Sequence, residues 1–343
     1  MPEGKALVMG ASGFLGSHVV KALAAAGRDI RIFVRASSDT SAIDHLDVER
    51  AVGDVCDAGS LRRAMRGCSA IHYCVVDTRA WLKDPAPLRV TNVEGLRNVL
   101  EAAMDVGVAR FVYTSTFLTL GLNASGVATE EDAFNWGDRA SEYVRVRVEA
   151  EELFFAYCAR GLPGVACNVA MTYGAEDRQP TPHGWLITLV LRGLLPAWNA
   201  TFAVVGIRDA ADAMLLAEKH GRPGERYLIA ERTLPLKEIW STAVEAAGTP
   251  WPVYSLPMWV MYVGCWLAER GSWLLGLETE ITVTSLRLTR IVGGFDNSKA
   301  RTQLHWNPRP AREAIGEAAR WFHGQRRRKG LRPKAPLPRD VSR

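Results

Sequence analysis

The stretch "KALVMGASGFLGSHVVKALAAAG", Lys5 to Gly27, decides the fold. Lys5 to Met9 is a short apolar run of strand character that passes directly into Gly10, Gly13 and Gly16. A segment with helical spacing follows and stops at Gly27. In a strand–glycine turn–helix unit the glycines let the backbone turn tightly and approach a pyrophosphate, while the helix aims free N–H groups and its positive end at the phosphates. Gly10, Ser12, Gly13, Phe14, Leu15 and Gly16 are therefore the first candidates for cofactor contact.

The next strand, "DIRIFVR", ends at Arg35, where a dinucleotide fold places the residue that meets the adenosine ribose. An acid there would bind the ribose 2′-hydroxyl. Arg35 followed by Ser37 and Ser38 instead supplies a cation and hydroxyls for a 2′-phosphate, so NADP(H) is expected ahead of NAD(H). The alternation then continues through "VERAVGDV" to Asp54, the buried strand "AIHYCVV", a long amphipathic helix "PAPLRVTNVEGLRNVLEAAMDVG" and a further strand "ARFVYTST". This is the pattern of an α/β, doubly wound parallel sheet, in which ligands lie at the carboxyl ends of the strands. Asp54, Val75, Val76 and Thr116 fall on that lip.

Composition supports a folded protein: 343 residues, 48% apolar and 23% charged. The formal charge of +5 is concentrated at one end. Residues 325–343 carry eight Lys or Arg against Asp340, a net +7, which leaves the first 324 residues at −2. A near-neutral body gives no reason to expect nucleic acid; the basic end reads as a solvated, disordered tail, with a membrane contact as the second reading. The six cysteines lie far apart without the close Cys or His pairs of a zinc site, so reduced thiols and no metal are expected. A strand starting at Lys5 leaves no room for a signal peptide, and a cytoplasmic location follows as an expectation.

The segment "ASEYVRVRVEAEE", 140–152, sets Tyr143 and Arg147 one helical turn apart. Taken alone it reads as an ion-paired helix, with Arg145 four before Glu149 and Arg147 four before Glu151. The ordered series of glycine turn, Arg35, "GDV", "TNVEGLRNVL", "FVYTST", Tyr143 and "VACNVAMTYGAED" changes that reading. It resembles the extended short-chain dehydrogenase/reductases, an NAD(P)-dependent epimerase/dehydratase family, particularly their dihydroflavonol 4-reductase-like and 3β-hydroxysteroid dehydrogenase-like branch. The likeness runs from about Lys5 to Phe322 and includes "VVGIRDAADAMLLA", "GERYLIA" and "FDNSKARTQLHWNPRPAREAI".

The resemblance implies a hydroxyl at Thr116, an acid/base at Tyr143 and a cation at Arg147, where the family has lysine. It adds Val55, Val75, Asn92, Thr114 and Asn168 to the cofactor contacts. A tyrosine is a poor base near neutrality, and a neighbouring cation lowers its pKa by about 1 to 3 units. Arginine supplies that charge on a larger, planar fork. Bulky groups in "DRQPTPHGWLITLVLRGLLPAW", with Trp81, Trp136 and Trp185, suggest an apolar pocket, to which Asp77 and Phe117 are added as substrate contacts.

The expected protein is an NADP(H)-dependent oxidoreductase acting on a ketone or secondary alcohol of an apolar small molecule. A nucleotide-sugar epimerase or dehydratase with retained NAD, and a non-catalytic dinucleotide-sensing or membrane-associated protein, are the alternatives. The Rossmann domain is expected over 1–170 and 206–232, a smaller, mostly helical substrate part over 171–205 and 233–324, and the tail over 325–343. Family members are often dimers. The run Leu256–Ala268 is too short to span a bilayer, and Trp259, Tyr262 and Trp266 at helical spacing predict core or lid packing ahead of an interfacial helix.

Overall fold

Strand β1 (Lys5–Met9) shows why the first apolar run is continuous rather than alternating. Ala6 and Val8 face one hydrophobic layer and Leu7 and Met9 the other, so both faces of the strand are buried. The structure is a computed structural model that describes residues 4–80, 82, 84–123, 126–274, 283, 286 and 294–329.

With β1, the strands β2 (Ile30–Val34), β3 (Glu49–Val52), β4 (Cys68–Tyr73), β5 (Arg110–Thr116), β7 (Gly164–Val169) and β10 (Arg226–Ile229) form a parallel sheet of seven. Their spatial order is β3-β2-β1-β4-β5-β7-β10. Strand order reverses between β1 and β4, which are direct neighbours, and this opens the crevice where such sheets bind ligands. Helices α1 (Phe14–Ala25) and α7 (Ile207–His220) pack on one face; α2 (Ala58–Met65), α4 (Gly95–Val106) and α5 (Glu142–Ala159) pack on the other. A short helix α3 (Ala86–Arg89) runs through a π turn, Val90–Glu94, into α4.

One residue past β7, the chain enters a second sheet of β8 (Met171–Tyr173), β9 (Thr201–Gly206) and β11 (Arg232–Pro235). Helices α6 (Pro182–Val190), α8 (Leu236–Ala247) and the last helix (Ala311–Lys329) build a separate core there with Tyr173, Ile187, Trp240 and Ile315. Strands β6 (Val127–Ala128) and β12 (Gly294–Phe295) pair as a small ribbon.

Two expectations are corrected. Helix α9 (Met258–Leu274) does not pack Trp259 and Trp266 into a core: they are 69% and 51% exposed, while Cys265 on the other side is buried. The basic end is also shorter as a tail than its charge suggests, because the last helix continues past Gly324 to Lys329; residues 330–343 lie outside those described. Among the described residues no helix is long and apolar enough to cross a membrane, and no cluster of His, Cys, Asp or Glu is placed to hold a metal. The six cysteines are unpaired.

The glycine turn gives a stability test. Gly10 has φ of +79°, and a Cβ there would stand 2.7 Å from the Cys74 carbonyl oxygen. A Cβ on Gly16 would stand 2.2 Å from the Gly10 oxygen, whereas on Gly13 it would be 3.3 Å away. Gly10→Ala and Gly16→Ala are expected to lower the unfolding free energy by about 2 kcal/mol or more in urea melts, and Gly13→Ala by clearly less.

Candidate active site

The cofactor end is built by backbone. Gly13 N–H donates to the Gly10 oxygen at 3.0 Å, folding the turn over the end of β1, and Cys74 N–H donates to the Met9 oxygen at 2.9 Å, locking β4 beside it. Helix α1 begins at Phe14 with Gly13 as cap, no side-chain cap and no acid in its first turn. Its opening N–H groups, at Phe14 and Leu15 among them, have no intrahelical acceptor, and no carboxylate competes for them. A tight turn that only glycine permits at Gly10 and Gly16, where a Cβ would strike the Cys74 and Gly10 carbonyls, leads into a bare helix N-terminus, and this fits a dinucleotide pyrophosphate.

Around it, Arg35 is exposed at the end of β2, with no ion-pair partner among the described residues. Its backbone turns with Ser38: Arg35 N–H donates to Ser38 Oγ at 3.2 Å and Ser38 N–H to the Arg35 oxygen at 3.0 Å. Asp54 is exposed and accepts from Cys56 N–H at 2.9 Å. Val55 packs against Gly95, where a Cβ would meet Val55 Cγ2 at 2.7 Å, and Val75 adjoins Gly10. Asn92 is buried; its amide both accepts from Asp77 N–H at 2.9 Å and donates to the Asp77 oxygen at 3.0 Å, fixing the loop after β4. The Asp77 carboxylate is held by Arg79 at 2.6 Å.

Helix α5 carries Tyr143 and Arg147, the candidate acid/base and its cation. Ser141 caps it, its hydroxyl accepting from Val144 N–H, so Tyr143 sits in the first turn, half-buried. One turn on, Arg147 is 2% exposed. Its Nη2 donates to the Thr114 oxygen at 2.7 Å, its guanidinium lies 5.8 Å from the centroid of Tyr113, and its Nε has no partner. No acid pairs with it among the described residues; the expected Arg147–Glu151 ion pair does not form. Glu151 is turned instead to Arg226 of β10 at 3.0 Å. The same carboxylate accepts from Ser115 Oγ, from Thr119 Oγ1 at 2.9 Å and from Asn168 Nδ2 at 2.7 Å.

The charge of Arg147 acts on tyrosines. Tyr73 and Tyr113 stack at 6.1 Å with unpartnered hydroxyls. Burial pushes Tyr113 up to about 12 against the pull of Arg147. Tyr143 is likewise raised above its ordinary value, first by desolvation, with Arg147 pulling it down and Asp77 pushing it up. The net direction is opposite to the lowering that the Tyr143–Arg147 spacing predicts, because loss of solvent outweighs the cation.

Thr116 ends β5, half-buried, and its Oγ1 accepts from Leu118 N–H at 3.3 Å, leaving the hydroxyl proton free to donate. The turn that follows it, Phe117–Thr119, packs against α5. Thr114 turns its hydroxyl toward Cys74 and Met214 and offers only its carbonyl to the site.

Other candidates are redistributed. Asn168 is fully buried; its Nδ2 donates to Glu151, Thr119 and the Thr116 oxygen, supporting the Thr116 turn from below, while its Oδ1 has no partner. Trp136 is buried at 2%, its indole donating to the Leu120 oxygen at 3.0 Å, and cannot line a pocket. Phe117 stays half-buried, edge-on to Phe295 at 6.3 Å, and Trp185 is half-buried on α6. Trp81 lies outside the described residues. The sequence reading missed Ser115, Thr119, Glu151 and Arg226; a charge inside the apolar strand "RYLI" was the available signal for Arg226. It also missed Asp177, buried and held up to about 6 by desolvation while accepting from Thr181, and His183, which burial lowers to about 4 beside Tyr173.

Residues 6–230 match the family model described as NAD dependent epimerase/dehydratase family. Sterol demethylase protein B of Methylococcus capsulatus is 31% identical over 319 residues, covering 92% of this chain and 97% of its own. The 4-hydroxy-2-methyl-3-oxo-4-farnesyl-3,4-dihydroquinoline-1-oxide ketoreductase of Stigmatella aurantiaca is 24% identical, with 94% of each chain covered. The crystal structure of gox2253 superposes with a TM-score of 0.82 at 31% identity, over 94% of this chain and 99% of that one. A match of this extent makes the protein a member of the NAD dependent epimerase/dehydratase family, and thus an extended short-chain dehydrogenase/reductase that works with a nicotinamide dinucleotide.

Proposed function

We propose that the protein is an NADP(H)-dependent oxidoreductase that reduces a ketone, or oxidises the matching secondary alcohol, on an apolar small molecule. The observation that carries this reading is the buried Arg147 with no carboxylate partner. Burying an unpaired cation costs several kcal/mol, and a carboxylate was available one turn away on the same helix. Glu151 is committed to Arg226 instead, so the field of Arg147 is left to act on Tyr143 and its buried Nε is left without a partner.

Bound in the glycine cradle, the reduced nicotinamide would supply the hydride equivalent to the carbonyl carbon. Tyr143, a phenol at neutral pH and held further above its ordinary value by burial, donates its phenolic proton to the carbonyl oxygen. Thr116 holds that oxygen through its free hydroxyl proton, and Arg147 stabilises the phenolate left behind. A tyrosine poised as an acid favours the reductive direction. Exposed Arg35, with Ser37 and Ser38, supports NADP(H) over NAD(H). A sterol in the name of one relative and a farnesylated quinoline ketone in that of another support an apolar substrate.

Tyr143→Phe should lower kcat by about 10²-fold or more while leaving NADPH binding intact; wild-type turnover in this variant would remove Tyr143 from the chemistry. Alcohol oxidation needs the phenolate, so loss of the cation in Arg147→Met should move the rising limb of its pH–rate profile up by about 1 to 3 units. Arg147→Lys should hold that limb near wild type. Titration of wild type and Arg35→Asp by cofactor fluorescence should show NADPH affinity falling about tenfold or more in the variant, relative to NADH. An unchanged ratio would show that Arg35 is not the selector.

A further inference from the structure

The outer side of α9 and the loop leading into it form an apolar surface that the catalytic site does not use. Among the described residues eleven large apolar side chains are exposed, and eight of these lie at position 194 or within 251–267. On α9, Trp259, Val263, Trp266 and Leu267 recur along one side, exposed by 69, 50, 51 and 56%, while Cys265 on the opposite side is 3% exposed.

The loop residues are held in place rather than trailing. Ala197 N–H donates to the Tyr254 oxygen at 2.7 Å and Leu256 N–H to the Ala197 oxygen at 2.8 Å, which fixes Tyr254 and Leu256 on the surface. The indole of Trp251 lies over Gly193, where a Cβ would be 3.0 Å away, next to exposed Leu194. Single exposed apolar residues are ordinary, but a concentration of this kind marks an interaction surface.

We propose that this face docks the enzyme on an anionic phospholipid surface. Indole and phenol rings with aliphatic neighbours on one helix side suit the boundary between headgroups and acyl chains, and a helix lying in that boundary needs no spanning length. The cations are on the page as well. Arg270 continues the same side of α9, its guanidinium 5.5 Å from the Trp266 ring. Residues 325–343 carry a net +7 while the rest of the chain is at −2, and clusters of Lys and Arg beside an apolar contact are drawn to anionic lipid. Helix α8 ends against the middle of the last helix, where a Cβ on Gly316 would be 3.3 Å from Ala246, so the apolar loop leaves the fold beside the helix that carries Arg326 to Lys329. An anionic bilayer satisfies rings and cations together, whereas a second copy would bring its own basic end to the contact.

The test is co-sedimentation of the full chain with vesicles of phosphatidylcholine alone and of phosphatidylcholine with phosphatidylglycerol. The full chain should pellet with the anionic vesicles in preference to the neutral ones. Trp259→Ser/Trp266→Ser should reduce the partition coefficient by about tenfold or more at unchanged melting temperature. Leu267→Glu, an exposed position that cannot disturb the core, should do the same. The proposal is overturned if the wild type stays in the supernatant with both lipids, or if it binds them equally. It is equally overturned if all variants pellet like the wild type, or if the substitutions convert a dimer to a monomer in sedimentation velocity without any vesicle binding.

Discussion

The Glu151 carboxylate is the constraint on which the site depends. It is buried at 4% exposure and gathers hydrogens from Ser115, Thr119, Asn168 and Arg226. These belong to β5, the turn after it, β7 and β10, so one side chain ties α5 to four regions of the sheet and its loops. Register does the rest, since Ser115 pairs with Asn168 across β5 and β7 and brings the two donors to one carboxylate. Arg226 extends the network by donating to the carbonyls of Glu130 and Asp132, anchoring the loop that follows β6 and leads toward α5. Removal of any member would leave the others buried and unsatisfied, so the set holds as a unit.

That arrangement explains how a helix can hold an unpaired cation. Tyr143, Arg147 and Glu151 follow one another at four-residue intervals along α5, from the rim of the site to its base. Because Glu151 is saturated by four donors, it cannot turn toward Arg147. The guanidinium settles for a carbonyl and an aromatic face, both weaker than a carboxylate, and it pulls on Tyr143 without a hydrogen-bonded counter-ion of its own.

The fold was legible because its signals are local. A both-faces-buried strand, a glycine turn and an amphipathic helix each declare themselves over a dozen residues, and the parallel order follows from their alternation. The cofactor cradle was legible for the same reason: Gly10 and Gly16 are needed where backbone meets backbone. The tyrosine helix was legible in its residues and misread in its contacts. Spacing gives Glu151 as the neighbour of Arg147, but a partner 75 positions further on, Arg226, is chosen by sheet order, which no window of sequence contains. The burial of Trp136 was hidden for the same reason, since its indole finds the Leu120 oxygen in a turn distant along the chain. For α9 the spacing was right and the inference from it was not, because periodicity marks an apolar side without saying what faces it.

The replacement of an amine by a guanidinium beneath the acid/base tyrosine also alters what can silence this enzyme. A lysine there can be acylated, carbamylated or trapped as a Schiff base by an aldehyde, and a reactive carbonyl compound entering the pocket could do so from within. Arg147 offers those electrophiles no amine. Its side of the pocket is thereby closed to Schiff-base formation with a simple aldehyde, while a guanidinium still condenses with vicinal dicarbonyls.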